Sequence, residues 1–353
     1  MQLSKVVSPL SWKDGVLSLL DQRKLPLEEI IVENKTIEDA YNSIKDMVVR
    51  GAPLIGYTGI FGMALFARAN RGASIDEYKK AADYLNSSRP TAVNLAYELD
   101  RCVELIDQLI NAGNSDKIED ELISFGHAQL DLIHRDNLAM ANIAMKDLIE
   151  RFGKRKYRIM TLCNTGYLAC GPMGTALGVI SHLFENDLIE HVYASETRPY
   201  MQGARLTSYE LKKQGVPHDI VVEGSFSYLM KNKLVDAIFI GADRIVKNGD
   251  TANKIGSSTL SIVAKHYGVP FFVVAPTSSF DFTSEEGSEI PIEMRDENEI
   301  LSFRDQRVAP EGTSALNPSF DVTDANCITG IICESGMIDP VTRENLLKVT
   351  GQE

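Results

Sequence analysis

The sequence predicts an α/β protein in two parts, a mainly helical N-terminal domain over residues 1–150 with a small β element, and a βαβ domain over residues 151–353. Three observations carry that expectation. From Thr36 to Phe152 the apolar residues recur mostly at helical spacing. From Tyr157 onward short apolar runs alternate with helical stretches, the rhythm of a parallel sheet with right-handed crossovers. Where the two parts meet, Tyr157–Gly178 (YRIMTLCNTGYLACGPMGTALG) reads as a buried strand, a loop of small residues and a helix beginning near Gly174.

Taken in order, residues 1–35 hold short alternating segments, Gly15–Leu20 and Glu28–Glu33, which suit a small sheet or hairpin. Thr36, with Asp39 three residues on, is a weakened capping box before Ile37, Ala40, Ile44, Met47 and Val48. That helix stops at Val49-Arg50-Gly51-Ala52-Pro53, and a second runs from Pro53 toward Asn70. A helix around Ile75–Leu85 leads to Ser87-Ser88-Arg89-Pro90-Thr91, and a longer one passes through Leu95, Leu99, Val103 and Ile106. The next, roughly Ser115–Phe152, carries His127 and His134 on one face, which read as packed or solvated rather than as ligands. The basic run Arg151–Arg158 reads as a linker.

In the second part strands are expected at Tyr157–Leu162, His191–Ser195, His218–Val222, Val235–Ile240 and Pro270–Ala275, with helices near 174–185, 203–214, 224–232 and 256–267. Phe280–Ser319 is polar, acidic and Pro-rich, an extended excursion. Asp324 is expected to cap a final helix reaching Glu334.

Composition removes several function classes. A net charge of −13 argues against nucleic acid or anionic membrane as a partner, since those require basic surfaces, though a local Arg/Lys cluster can still hold a small anion. No apolar run approaches the roughly 20 residues that span a bilayer. The start, MQLSKVVSPLSWKDG, lacks the apolar core and cleavage site of a signal peptide, so a cytoplasmic setting is expected. The five cysteines are scattered and odd in number, which disfavours a disulfide framework, and no Cys/His spacing suits a structural metal. GPMGTALG is neither a Walker motif nor a dinucleotide fingerprint, which disfavours ATP and NAD, and no cofactor is expected.

The polar residues gather at strand ends and helix junctions. Cys163 closes the first strand of the second part, and Gly171, Gly174 and Gly178 follow it, so a thiol stands beside a loop suited to an anion. A buried small hydrophobe is the other reading of Cys163. Asp243, after the apolar FIGA strand end, is either a desolvated carboxyl fit for general acid work or a cap or partner for Arg244. Arg50 and Arg89 each stand at a helix junction beside a Pro; they are surface charges or two guanidinium groups converging on a phosphate.

The segments VVRGAPLIG, SRPTAVNLA, TLCNTGYLA with GTALGVI, ASETRPYMQGARLTSYEL, IFIGADRI, NKIGSSTLSIVAKHYGVPFFVVAPTSSFD and NPSFDVT, in that order over nearly the whole chain, resemble the methylthioribose-1-phosphate isomerases. The resemblance implies a Rossmann-like, doubly wound second domain and a homodimer acting on a small-molecule sugar phosphate. The reaction would convert 5-methylthioribose 1-phosphate to 5-methylthioribulose 1-phosphate in methionine salvage. It implies Cys163 and Asp243 as the catalytic pair, with Arg50, Gly51, Ala52, Arg89, Gln202, Asn253 and Lys254 binding substrate. Related proteins act on 5-deoxyribose 1-phosphate or ribose 1,5-bisphosphate, or serve as non-catalytic regulatory subunits of a translation-initiation exchange factor; these are the alternatives. The stretches Tyr167–Met173 and Gly56-Tyr57-Thr58 are less typical of the isomerases, at positions suited to the sugar's 5-substituent.

Overall fold

The computed structural model describes residues 8–89, 93–303 and 306–352. The chain forms two compact units, a helical one of Ser4–Arg135 with Gly166–Gly174, and a sheet unit built mainly of Asp136–Thr165 and residues 175–353.

The helical unit begins with an antiparallel sheet of β1 (Leu10–Lys13), β2 (Val16–Leu20) and β3 (Ile31–Asn34). Leu10 pairs with Leu19 and Leu17 with Asn34, which keeps the leucines on the core side. Helix α1 (Ile37–Lys45) is capped reciprocally: Asp39 N donates to Thr36 Oγ1 at 3.1 Å and Thr36 N to Asp39 Oδ2 at 3.0 Å. It ends earlier than its apolar spacing suggests, because Met47 turns into the left-handed region at φ 57°. There follow α2 (Ala52–Ala69), α3 (Ile75–Asn86), α4 (Val93–Asn111) and α5 (Ile118–Phe152). Helix α5 passes through Arg135 and Asp136 without a break. Helix α2 is buried along most of its length, with Leu54, Ile60, Phe61 and Met63 fully enclosed beside Leu85, Leu95 and Cys102. Trp12 stacks on Phe61 at 5.5 Å, and the exposed His127 meets the same ring edge-on at 5.5 Å.

The strands of the sheet unit are β4 (Tyr157–Thr161), β5 (Ile189–Ser195), β6 (His218–Val221), β7 (Ala237–Ile240), β8 (Arg244–Val246), β9 (Thr251–Lys254), β10 (Phe271–Val274), β11 (Phe280–Asp281), β12 (Ser302–Phe303), β13 (Gln306–Arg307), β14 (Phe320–Thr323), β15 (Gly330–Cys333) and β16 (Gly336–Ile338). Seven of them form one sheet in the order β16-β15-β10-β7-β4-β5-β6, parallel except for β16. From β4 the chain builds outward through β5 and β6, then returns to the other side of β4 and builds outward again through β7, β10 and β15. This is the doubly wound, Rossmann-like arrangement, with its order reversing between β4 and β7. Ile159, Met160, Ile238, Phe239, Phe272 and Val273 are fully buried, as expected of strands covered on both faces.

The helices here are α7 (Ala176–Glu185), α8 (Ser208–Gln214), α9 (Phe226–Lys231), α10 (Ser257–Tyr267), α11 (Asn298–Leu301) and α12 (Arg343–Thr350), while the short α6 (Tyr167–Cys170) belongs to the helical unit. A second, smaller sheet runs β11-β8-β9-β14. The helix expected from Asp324 to Glu334 is not formed. Asp324 precedes one 3₁₀ turn, Ala325–Cys327, and Gly330–Cys333 is the buried strand β15, paired with β10 and β16. The sequence GIIC is short, β-branched and buried at every residue, so sheet pairing outweighs the cap signal. The terminal helix is α12, with Asn345 N donating to the Thr342 hydroxyl at 3.2 Å.

Candidate functional site

Ligands of open α/β sheets sit outside the carboxyl ends of the strands where the order reverses. In this sheet that point lies between β4 and β7, where Met160 pairs with Ile238. Cys163 follows β4, and Asp243 follows β7. The Cys163 side belongs to a buried apolar cluster with Leu162, Ile240, Ile245 and Leu260, leaving 7% of the residue exposed.

Cys163 has φ 63°, a left-handed conformation that costs a β-carbon residue on the order of 1 kcal/mol. Two threonines hold it there. Cys163 N donates to Thr197 Oγ1 at 2.8 Å, and Thr207 Oγ1 donates to Cys163 O at 2.5 Å. Asn164 Nδ2 donates to Thr207 Oγ1 at 3.3 Å and to Glu210 Oε1 at 2.8 Å, and both partners are fully enclosed. Thr207 ends a π-helical turn, Gly203–Thr207, that leads into α8. Its start presses against β5: a β-carbon at Gly203 would lie 1.6 Å from Ser195 O, so only glycine fits. Gln202 precedes that turn. Its Oε1 is buried without a hydrogen-bond partner among the described residues, an expensive state for a polar group that meets no ligand.

The smaller sheet gathers the other polar residues. Asp243 N donates to Ala252 O at 2.9 Å, and Arg244 pairs with Ala252 across the β8–β9 hairpin. Asp243 and Arg244 therefore both meet Ala252, as at a β-bulge, at the start of β8. On the other side of β9, β14 sets Asp321 opposite Asn253. Asn253 Nδ2 reaches Ser257 Oγ at 2.9 Å. Lys254 Nζ donates to Ser319 O at 2.9 Å and lies 4.2 Å from the Phe320 ring centroid.

Two carboxylates here have shifted affinities with clear causes. Burial pushes the Asp321 carboxyl up, opposed by N–H donors at the start of α10, where Gly256 N and Ser258 N reach it at 2.8 and 3.1 Å. An internal carboxylate thus already occupies the amino end of α10. Burial also works to raise Asp281, but hydrogen bonds from Thr283 and Ser284 outweigh it and hold that carboxyl well below its usual range. Asp281 Oδ2 lies 3.2 Å from Arg244 Nη1, which gives that guanidinium a carboxylate of its own.

In the helical unit Arg50 is half-buried just before α2, and Gly51 is the N-cap of that helix at φ 91°. A β-carbon at Gly51 would lie 2.3 Å from Ala169 O, so the Gly51 backbone packs closely on Ala169. Ala52 begins α2, where the first N–H groups lie outside the helical ladder. Arg89 is half-buried beyond the end of α3, its N–H donating to Asn86 O at 3.2 Å. Pro90 and Thr91, grouped with Arg89 in the sequence, lie outside the described residues. Among the described residues no group of three His, Cys, Asp or Glu side chains could hold a metal ion, and all five cysteines are free thiols.

The sequence model of the initiation factor 2 subunit family matches residues 48–340. Methylthioribose-1-phosphate isomerase from a Sulfurihydrogenibium species is 43% identical to this chain over 353 residues, covering 100% of it and 99% of the relative. The chain belongs to the methylthioribose-1-phosphate isomerase family. A crystal structure of 5-methylthioribose 1-phosphate isomerase from Pyrococcus horikoshii OT3 superposes with a TM-score of 0.91 at 34% identity, covering 100% of this chain and 98% of that one. The translation initiation factor eIF-2B subunit delta from A. fulgidus superposes with a TM-score of 0.88, also at 34% identity, covering 98% and 99%. One architecture therefore carries both an enzyme and a translation-factor name, and the fold alone does not separate them.

Of the residues that the isomerase family points to, Cys163, Gln202, Asp243, Asn253 and Lys254 lie in the sheet unit, at or just beyond the carboxyl ends of β4, β5 and β7 and on the hairpin that follows β7. Arg50, Gly51, Ala52 and Arg89 lie in the helical unit. Thr197, Thr207 and Glu210 enter the sequence reading only inside the segment ASETRPYMQGARLTSYEL, with no role of their own. Their one local signal is two threonines on either side of Gly203, which acquires meaning only when both reach the Cys163 backbone.

Proposed function

We propose that this chain is an aldose–ketose isomerase converting 5-methylthioribose 1-phosphate to 5-methylthioribulose 1-phosphate. The observation that carries the reading is a full-length identity of 43% to a relative of that name, joined to a thiol and a carboxylate following the two strands that flank the reversal of strand order.

The substrate sets the chemistry. Its C1 oxygen carries phosphate, so the ring does not open to a free aldehyde as ordinary sugars do. Opening it needs an acid at the ring oxygen, and hydrogen must then move from C2 to C1. Asp243 is the acid and base at oxygen. Cys163 takes the C2 proton in a route through a cis-phosphoenolate, or shapes an apolar site for a direct hydride shift. In this reading Arg50, Gly51, Ala52, Arg89, Gln202, Asn253 and Lys254 bind the substrate, and the guanidinium forks of the two arginines suit its phosphate. The shielded Gln202 Oε1 supports this assignment, since a substrate hydroxyl would satisfy it. A homodimer in the cytoplasm belongs to the same reading.

A second reading rests on the 34% identity to the eIF-2B subunit delta, the same as to the Pyrococcus horikoshii isomerase: a non-catalytic regulatory subunit. A turnover panel separates them. The isomerase reading expects 5-methylthioribose 1-phosphate to be turned over with a higher kcat/KM than 5-deoxyribose 1-phosphate or ribose 1,5-bisphosphate. Preference for either of those moves the substrate assignment. Absence of turnover on all three supports the regulatory subunit.

A further inference from the structure

We infer that Thr197 and Thr207 are positioning residues that fix the Cys163 thiol by clamping both sides of its backbone. The inference rests on the isomerase reading for its kinetic consequence, while the clamp stands on geometry alone.

Each hydroxyl has one proton and uses it. Thr197 Oγ1 accepts from Cys163 N at 2.8 Å and donates to Ser195 O at 3.0 Å. Thr207 Oγ1 donates to Cys163 O at 2.5 Å and accepts from Asn164 Nδ2 at 3.3 Å. One threonine therefore restrains the peptide before Cys163 and the other the peptide after it, which together fix φ and ψ and so the direction of the Cα–Cβ bond. That residue needs restraint, because its φ of 63° is one that a residue with a β-carbon rarely keeps unaided. The clamp is also built on rigid parts. Thr197 is anchored to the end of β5, and Thr207 stands on a π-helical turn whose first residue has no room for a β-carbon against Ser195 O. Both threonines are 1% exposed or less, so neither hydroxyl is spent on bulk solvent.

The test compares valine and serine at each position. Valine keeps the volume and removes both hydrogen bonds; serine keeps both and removes only a methyl group. Thr197→Val and Thr207→Val should each lower kcat on 5-methylthioribose 1-phosphate about 10- to 100-fold, as displaced reacting groups do, with KM nearly unchanged. Thr197→Ser and Thr207→Ser should restore most of it, which loss of packing alone would not predict. Thr323→Val is the control: that hydroxyl is buried with no hydrogen-bond partner among the described residues, so its loss should leave activity unchanged. Alkylation of Cys163 by iodoacetamide, followed by mass spectrometry of the labelled peptide, gives a readout that does not need turnover. The rate should rise in the valine variants, as the released backbone exposes the thiol, and return to the parent value with serine. If the parent chain turns over no sugar phosphate, the isomerase reading fails and the alkylation rates still decide the clamp. Valine variants that match the parent in alkylation, and in kcat where there is turnover, overturn the clamp, as do serine variants no better than valine.

Discussion

Cys163 shares its burial with the core cysteines Cys102 and Cys333, but it is also held in a left-handed conformation and restrained on both sides by threonine hydroxyls, which a filling residue does not need. Cys102 and Cys333, by contrast, sit in ordinary packed positions where burial, with the nearby Glu98 and Glu334 carboxylates adding to it, pushes the thiol up, and they serve as hydrophobic filling. The two routes open to Cys163 differ in the fate of one hydrogen. With C2-deuterated substrate in ordinary water, proton abstraction by the thiol predicts loss of label to solvent, read by mass spectrometry of the product. Full retention of deuterium at C1 over many turnovers is the outcome that favours direct hydride transfer. That Cys163 and Asp243 stand at strand ends was legible in the sequence, because each follows a short, bounded apolar run; spacing left their roles open, and only the family resemblance pointed to a catalytic pair. Thr207 was not legible: its role depends on a hydrogen bond to a residue 44 positions away.

At the scale of elements, the β4–β7 junction depends on Asp236. Its carboxylate accepts from Arg158 N at 2.8 Å, Arg158 Nη2 at 3.1 Å and Arg155 Nη2 at 3.1 Å, and Asp236 N donates to Arg158 O at 2.8 Å. The basic run that reads as a linker in the sequence is thus the fastening of the central strands. Burial works to raise the Asp236 carboxyl, but the Arg158 and Arg155 hydrogen bonds outweigh it and hold the group below its ordinary range. A depressed native value means that the stabilisation is fully present above the unfolded carboxylate value of about 3.9 and is lost as pH falls through the native one. Asp236→Asn should therefore cost about 1–3 kcal/mol at neutral pH by urea unfolding, and the gap from the parent should shrink below about pH 4. A gap that persists unchanged into acid would assign the loss to packing. Strand positions in this region were readable from apolar run length, whereas the Asp324 cap signal misled, since local propensity gave way to the pairing of GIIC with β10. The placing of Asp321 opposite Asn253 was unreadable for a related reason: it is set by pairing between strands far apart in sequence.

For the whole molecule, the doubly wound order explains why residues as distant as Cys163 and Asp243 belong to one sheet edge, since reversal of strand order brings β4 beside β7. The surrounding fold is shared with proteins named for translation initiation, so the claim of catalysis rests on what those two residues do. The most direct measurement is conversion of 5-methylthioribose 1-phosphate to its ketose by the purified chain, followed by NMR, beside Cys163→Ser and Asp243→Asn. Turnover by the parent chain, with activity lowered at least about 1,000-fold in each variant and unfolding midpoints little changed, is the expected result. Parent-like turnover by either variant would contradict the account.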